Sequence, residues 1–488
     1  LTEIKGGMIM RYNKVLFVIP RSDAEWRGIR PHVGLGYLAE ALVDSGIQYD
    51  VFDMNLGYKL KKLLEKINEF RPDLIGISLI SFQYLRSYQL MEEIKKHFPN
   101  VDLVVGGPHV TILKEKVLRD SSAIDYGVTF EGEIPLVELC KGQVGLNEVK
   151  SLLYRNGDNH SVVYTGDGKP IWNLDRLSFP RYQKFELKKY VPEVTIYSSR
   201  GCPHHCIFCP NRIISPHYRT RNAAHVLEEM EYWYKRGLRQ FNFDDDNFNY
   251  NEERVYEICD GIEKKGMTNL FLRCANGVRA DRIDRSMLKR MKEVGFQYIA
   301  FGADAGNNRM LEIVKKGETI EQIESAVKNA CELGYDVKLL FVVGTPYETR
   351  QDVEDKVRLA QRYPINDVHF YNLIPYPGTE LFDWVAENDY FLIMPQEYLN
   401  DVSCCENSPV FETPELPRTE RIKLHNYLQK VRREIHLKAL RKMYKRFGLL
   451  TNILSRVLVT DVTVKMFYQN LFIRRMIEKL RYRRAVAS

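Results

Sequence analysis

Cys202, Cys206 and Cys209 lie within eight residues of one another in Ser199-Arg-Gly-Cys-Pro-His-His-Cys-Ile-Phe-Cys-Pro-Asn211. Thiolates are soft ligands suited to iron and zinc. Three of them on one short loop can ligate three irons of a cubane cluster, leaving one iron open to an exogenous ligand. A zinc site wants four ligands, and His204 or His205 could supply the fourth. Adjacent ligands on so tight a loop would strain tetrahedral closure, and both histidines read more simply as loop residues facing solvent or substrate. The spacing points to an iron–sulfur centre with one open position.

Other elements must hold that loop at a cavity. Val194 to Ser198, just before it, reads as a strand. Downstream, strand-like runs at 240–243, 270–274, 298–302, 337–343 and 367–373 alternate with helix-like runs at 252–264, 287–294, 320–333 and 352–362. That predicts six β/α units, an incomplete (β/α)6 barrel whose strand ends ring one cavity. Polar groups stand at those ends. Asp244-Asp-Asp246 follows the second strand. Acids cap helix N-termini, but three exceed that need, and Asp245 or Asp246 is expected to face the cavity. Asn276, Arg279 and Asp281 follow the third strand, Asp304 the fourth and Gly344 the fifth. Tyr371 and Tyr376 follow the sixth, where they could line a substrate cavity.

The first 140 residues carry a second alternation. Apolar strand-like runs at 15–19, 49–52, 74–79, 101–105 and 124–128 are separated by helical patterns at 34–43, 60–70 and 85–97, with another at 133–140. This predicts an open parallel sheet covered on both faces, with ligands at the carboxyl ends of its strands. Gly34 and Gly36 open the first helix without forming a GxGxxG fingerprint. They permit either tight packing or close approach of a bulky ligand. Two short alternating runs around Asn156-Gly-Asp-Asn159 give a hairpin signal, and 174–190 reads as a connector.

The chain has 488 residues, with 44% hydrophobic and 28% charged, which excludes a disordered chain or a disulfide-dense mini-protein. Nine cysteines leave at least one unpaired, and their clustering suggests metal rather than disulfides. Cys140, Cys259, Cys274 and Cys331 read as buried apolar residues. The adjacent Cys404 and Cys405 leave a reactive thiol open. The net charge of +7 is uneven: Arg418 to Ser488 carry 19 Lys+Arg against 4 Asp+Glu, so the body is mildly acidic. The tail reads as helical and amphipathic, with Tyr444, Phe447, Phe467, Tyr468 and Phe472 interleaved among basic residues. It suits a helical domain packed on the barrel, an anionic membrane surface or nucleic acid. No RNA-binding module is evident, and the membrane surface is preferred. The N-terminus lacks signal-peptide features, and the longest apolar stretch, 447–473, is broken by Arg456, Asp461 and Lys465, so no membrane span is expected.

The three-cysteine motif, with Phe208 before its last cysteine, resembles the signature of the radical SAM superfamily. Arg30-Pro-His-Val-Gly-Leu-Gly-Tyr-Leu-Ala39, Asp53, Gly106-Gly-Pro-His109 and Gly127-Val-Thr-Phe-Glu-Gly-Glu133 together resemble the cobalamin-binding domain attached to many such enzymes. The resemblance implies an α/β chain in four parts. These are a Rossmann-like B12-binding domain at 10–145, a hairpin and linker at 146–190, a partial radical SAM barrel at 191–395 and a mostly helical basic domain at 396–488. It implies that Cys202, Cys206 and Cys209 hold a [4Fe–4S] cluster whose open iron binds S-adenosylmethionine, cleaved to a 5′-deoxyadenosyl radical. Asp245 and Tyr371 would then act in catalysis, and Phe208, Asp246, Asn276, Arg279, Asp304 and Gly344 would lie at the cluster and S-adenosylmethionine. Gly34, Gly36, Ser78, Gly106, Gly107, His109 and Glu131 would contact cobalamin, with the corrin over the loops after Pro20 and Ser78.

Departures matter as well. The DxHxxG cobalt ligand of methionine synthase-type domains is absent, as is usual in this branch. Asp304-Ala-Gly306 stands where relatives commonly have Glu-Ser-Gly, and Tyr347 replaces a glycine of Gly-x-Pro-Gly-Glu-Thr. The N-terminal region lacks the extra cysteines of tRNA methylthiotransferases. The implied activity is cobalamin-dependent methylation of an unactivated carbon in a small, hydrophobic or lipid-like substrate. It would run in an anaerobic cytoplasm, with a flavodoxin- or ferredoxin-type electron donor and contact with the inner membrane surface through the tail. Alternatives are another radical reaction, such as cyclisation, rearrangement or anaerobic hydroxylation, with or without B12, and a non-catalytic corrinoid or iron–sulfur sensor.

Overall fold

The computed structural model describes residues 10–22, 29–157, 161–400 and 408–444, with side chains as far as Lys442. Cys404, Cys405 and the tail beyond 444 lie outside the described residues. The chain divides into two compact units, one running to Tyr190, the other from Val191 onward together with a short segment ending at Arg30.

The first unit alternates β1 (Lys14–Ile19), α1 (Val33–Asp44), β2 (Gln48–Asp53), α2 (Leu60–Phe70), β3 (Leu74–Ser78), α3 (Tyr84–His97) and β4 (Asp102–Gly106). Two short helices, α4 (Pro108–Leu113) and α5 (Glu115–Asp120), lead to β5 (Tyr126–Val128), α6 (Glu133–Lys141) and the hairpin β6 (Leu152–Arg155) and β7 (Val162–Tyr164). The sheet order is β2-β1-β3-β4-β5-β6-β7, parallel through β5. Val15 to Val18 are all buried, as a strand covered on both faces requires. The expected hairpin is a continuation of this sheet, with β6 antiparallel to β5. The connector, 174–190, holds only two short 3-10 turns and is fastened to the same unit by buried contacts, such as Tyr190 Oη donating to Asp53 at 2.8 Å. The short α4 and α5 do not stand out in the sequence because neither is long enough to show a helical period.

The second unit begins with β8 (Glu193–Ile196), β9 (Ser199–Arg200), α7 (Asn211–Ile214), β10 (Arg219–Thr220), α8 (Ala223–Lys235), β11 (Gln240–Phe243) and α9 (Glu252–Lys264). It continues through β12 (Phe271–Val278), α10 (Arg285–Glu293), β13 (Phe296–Asp304), α11 (Asn308–Ile313), α12 (Ile320–Glu332), β14 (Asp336–Val343), α13 (Arg350–Arg362) and β15 (Asp367–Asn372). It closes with α14 (Glu380–Glu387), α15 (Pro395–Tyr398) and α16 (Arg418–Tyr444). Six strands form one parallel sheet in the order β8-β11-β12-β13-β14-β15, the expected partial barrel. Helices α8, α9, α10, α12, α13 and α14 are N-capped by the side chains of Asn222, Asn251, Asp284, Thr319, Thr349 and Thr379, which satisfy first-turn N–H groups. Along β14 the buried residues Val337, Leu339, Phe341 and Val343 alternate with partly open Lys338, Leu340 and Val342. The two sets lie on opposite faces of the sheet. Helix α16 buries Leu424, Leu428, Val431 and Ile435 and packs on β15, so its described part belongs to the barrel unit. Among the described residues no helix is long and apolar enough to cross a membrane.

Candidate active site

The cysteine loop leaves the barrel at the carboxyl end of β8. Its base is closed by a two-residue ribbon, β9 against antiparallel β10, which the sequence did not reveal. Gly201 stands just inside at φ +79°, where an added Cβ would lie 2.6 Å from the Ser215 carbonyl oxygen. Only glycine fits that approach. Ile207, buried at the loop's centre, is tied on both sides: its N–H donates to Val314 O at 3.2 Å, and its carbonyl accepts from Leu381 N at 3.0 Å. Cys209 N donates to Cys206 O at 3.1 Å, and Phe208 is half-buried between them.

All three thiols are free and partly open. Burial pushes all three up, Cys206 to about 12 and Cys209 to about 11. They are neutral thiols unless a cation takes them as ligands. The donor set fits a cluster in which each thiolate meets a different iron.

The acids after β11 divide by exposure. Asp245, one of the two expected at the cavity, is 1% exposed. It accepts from Ser198 Oγ at 2.8 Å, Ser199 Oγ at 2.9 Å and the Ser199 N–H. Buried Arg254 extends this network, donating to Ser198 O at 3.1 Å and Ser198 Oγ at 2.8 Å. Burial pushes the Asp245 carboxyl up and the Arg254 charge opposes it. Asp245 is thus a positioning residue that fixes the backbone entering the cysteine loop. Its neighbour Asp246 is open to solvent while enclosed by surrounding chain. Burial pushes its carboxyl up, moderated by hydrogen bonds from Asn211 and the Gly201 N–H at the two ends of the loop. Exposed Asn276 donates to Asp245 O at 3.1 Å.

A buried ionic group stands beside Cys206. Lys316 Nζ pairs with Asp304 at 2.7 Å and Glu318 at 3.6 Å, while Asp304 holds a left-handed φ of +56°. Burial opposes the Lys316 charge, but Asp304 and Glu318 outweigh it and hold the ammonium above the usual lysine range. Arg279, expected at the cofactor, is buried. It donates to Asp281 at 2.8 Å, Lys316 O at 2.9 Å and Gly317 O at 3.0 Å, so it shapes the Lys316 turn. The sequence reading missed Lys316, because Lys315-Lys-Gly-Glu318 looks like a solvated turn. Gly344 is also corrected. It is buried, and an added Cβ would collide with the Arg421 guanidinium, so its open face is filled by α16. Tyr371 is 48% exposed at the end of β15, its ring 5.4 Å from that of His369.

In the first unit the strand order reverses direction between β1 and β3, which makes their carboxyl ends the expected ligand crevice. The loops after Pro20 and Ser78 start there. Ile80 and Leu85 are exposed just after β3, an apolar rim that fits the body of a corrin ring. Half-buried Ser78 lies beside Gly107, whose φ of +101° brings its Cα hydrogen against the Leu79 carbonyl. Gly106 pairs with Ser78 across β4 and β3. Gly34 is exposed in the first turn of α1, whereas Gly36 is packed: an added Cβ would lie 2.6 Å from Tyr182 and 2.7 Å from Pro180. Glu131 is half-buried and accepts from Ile171 N at 2.8 Å.

His109 is not directed at a ligand. It is wholly buried under the Gly106-Gly107 turn, with Nε2 3.1 Å from Tyr88 Oη, Nδ1 3.2 Å from Ser81 Oγ and its ring stacked on Tyr84. Burial lowers its pKa to about 4. The unfolded chain protonates this ring near pH 6.5, so stability should fall as pH drops from about 6.5 to about 4, by about 3 kcal/mol from this group. Hydrogen exchange of the β3 and β4 amides across that range should show the loss, and His109→Gln should remove that part of the slope.

Residues 196–360 match the family described as the radical SAM superfamily, and residues 24–140 match the B12 binding domain. An uncharacterized methyltransferase of Pyrococcus horikoshii is 29% identical over 79% of this chain and 86% of that protein. An anaerobic magnesium-protoporphyrin IX monomethyl ester cyclase of Cereibacter sphaeroides is 27% identical, over 77% of this chain and 65% of the cyclase. Two solved enzymes share the fold. The radical S-adenosylmethionine methyltransferase TsrM from Kitasatospora setae aligns with TM-score 0.67 at 20% identity, over 77% of this chain and 76% of TsrM. The cobalamin-dependent S-adenosylmethionine radical enzyme OxsB aligns with TM-score 0.71 at 15% identity, over 96% and 80%. The free three-thiol loop on a partial barrel, joined in one chain to a switch-point sheet, agrees with both family matches: the chain carries a radical SAM domain and a B12-binding domain, with a [4Fe–4S] cluster, S-adenosylmethionine and cobalamin as its cofactors.

Proposed function

We propose that this enzyme is a cobalamin-dependent C-methyltransferase acting on an unactivated carbon. The observation that carries the proposal is the pairing of two sites in one chain: three free thiols at the carboxyl ends of the barrel strands, and an apolar-rimmed crevice at the switch point of a B12-binding sheet. Similarity to the Pyrococcus methyltransferase along most of both chains supports it. Together the cofactors supply reductive sulfonium cleavage, hydrogen abstraction and a methyl donor. The protein's part is positional. Cys202, Cys206 and Cys209 hold the cluster, and Asp245, Arg254 and Ile207 keep the loop in place. Asp246 and Asn276 border the open side where S-adenosylmethionine would enter. Lys316 keeps a positive charge near Cys206, with Arg279 and Asp304 fixing its position. Tyr371 would line the substrate side.

Similarity to the cyclase supports a second reading, radical ring closure without methyl transfer. Product analysis with methyl-labelled S-adenosylmethionine separates the two. Methyl transfer predicts release of both 5′-deoxyadenosine and S-adenosylhomocysteine, with label in the product. 5′-Deoxyadenosine with an unlabelled, ring-closed product and no S-adenosylhomocysteine would establish the other chemistry. The hydrophobic or lipid-like substrate and the membrane surface belong to the proposal through the basic tail. Anionic vesicles should pellet the full chain but not one ending at Tyr444, which keeps α16. Equal pelleting would sink that part.

A further inference from the structure

The sixth strand is the weak point of an incomplete barrel. β15 pairs with β14 on one side and, among the described residues, has no strand on the other. Its final rungs pair Val342 with Tyr371 and Val343 with Asn372. The first of these presents Tyr371 at the barrel mouth; the second is gripped by one side chain. Arg421, in the first turn of α16, is 1% exposed. Its guanidinium donates to Val343 O at 3.0 Å, to Asn372 Oδ1 at 3.4 Å and to Phe411 O at 2.7 Å. Its Cζ lies 4.8 Å from the centre of the Phe411 ring.

Burying a guanidinium costs several kcal/mol unless its surroundings compensate. No salt bridge to Arg421 occurs among the described residues; its acceptors are two carbonyls and an amide oxygen. An apolar side chain would fill the same space without desolvating a charge. What an apolar side chain could not do is bind three chain segments at once. Arg421 does so at the carboxyl ends of the last two strands, the end at which barrel enzymes build their sites. The same turn is held from the other side. Fully buried Glu348 accepts from Gly344 N and Thr345 N at 2.5 and 3.2 Å, and it pairs with fully buried Lys356, which also donates to Val342 O at 2.7 Å. Gly344 has φ +98° and no side chain, and this makes room for the guanidinium.

We propose that Arg421 is a positioning residue for the reaction, clamping the Val343–Asn372 rung so that Val342 and Tyr371 keep a fixed place on the barrel wall. It thereby makes α16 part of the active-site architecture. The inference rests on the reading that this stretch of wall receives S-adenosylmethionine or the substrate.

The test uses the full chain, anaerobically reconstituted. Arg421→Lys keeps the charge but not the forked geometry, and Arg421→Met removes both. Both variants should retain wild-type iron content and show a KM for S-adenosylmethionine, in substrate-independent 5′-deoxyadenosine formation, raised about tenfold. The rise should be smaller for the lysine variant. A lower melting temperature with unchanged KM would make Arg421 merely structural and overturn the proposal. If neither variant folds, hydrogen exchange on the wild type decides. S-Adenosylmethionine should slow exchange at 340–346 and 370–373 and also at 418–424. Slowing at the strand ends alone would refute the clamp. Slowing at neither, in protein that still cleaves S-adenosylmethionine, would refute the underlying reading and the clamp with it.

Discussion

Cys206→Ala is expected to abolish 5′-deoxyadenosine formation. With one thiolate gone, only two cysteines of the loop remain. Cys140, Cys259 and Cys274 are buried within α6, α9 and β12, so none of them is a ready substitute. Burial pushes the Cys206 thiol up to about 12, so a metal must do the deprotonating, and a partial set of ligands does that poorly. Cys202→Ala and Cys209→Ala should behave alike. Iron content and 5′-deoxyadenosine are the readouts, and a Cys206→Ala protein that still cleaved S-adenosylmethionine would overturn the mechanism.

Asp245→Ala should be nearly as damaging, for a different reason. Two serine hydroxyls and one backbone N–H donate to this carboxylate, and the charge of Arg254 stands beside it. Removing it strands buried donors, each at about 1–3 kcal/mol, and takes away the negative charge nearest the buried Arg254 guanidinium. The loss should reach about 3 kcal/mol of stability and should lower iron content, since the affected backbone leads into the cysteine loop. Asp246→Ala offers the contrast. That side chain is open to solvent and gives up only its bonds from Asn211 and the Gly201 N–H, so stability and iron content should fall less than in Asp245→Ala while turnover falls. Melting temperature and iron content, measured side by side, separate the two. Equal behaviour of the two variants would refute the division of roles.

That division shows where the sequence was legible. Strands and helices of both units were readable because apolar runs such as Val15 to Ile19 and helical spacings such as Leu60 to Phe70 encode burial directly. The order of the barrel strands followed from alternation, and the CxxxCxxC loop announced its own chemistry. Direction was not legible. Asp245 and Asp246 differ by one position, and the turn of the backbone after β11 puts one in the interior and the other toward solvent. His109 and Gly344 have the residue types of ligand contacts, yet each is covered by partners distant in sequence: Tyr88 and Ser81 in one case, Arg421 in the other. Lys316 and Arg421 were overlooked for the same reason. A basic residue in a polar turn or a basic helix looks solvated until the fold shows what packs on it.

The central claim is that one chain carries a cluster and a corrinoid together. Iron and corrinoid content, with the absorbance spectrum, should be measured on protein purified anaerobically from a host supplied with cobalamin. About four irons and about one corrinoid per chain are predicted. Four irons with no corrinoid would contradict the cobalamin-dependent account and leave the switch-point crevice of the first unit without its assigned ligand. Zinc in place of iron would contradict the radical chemistry itself.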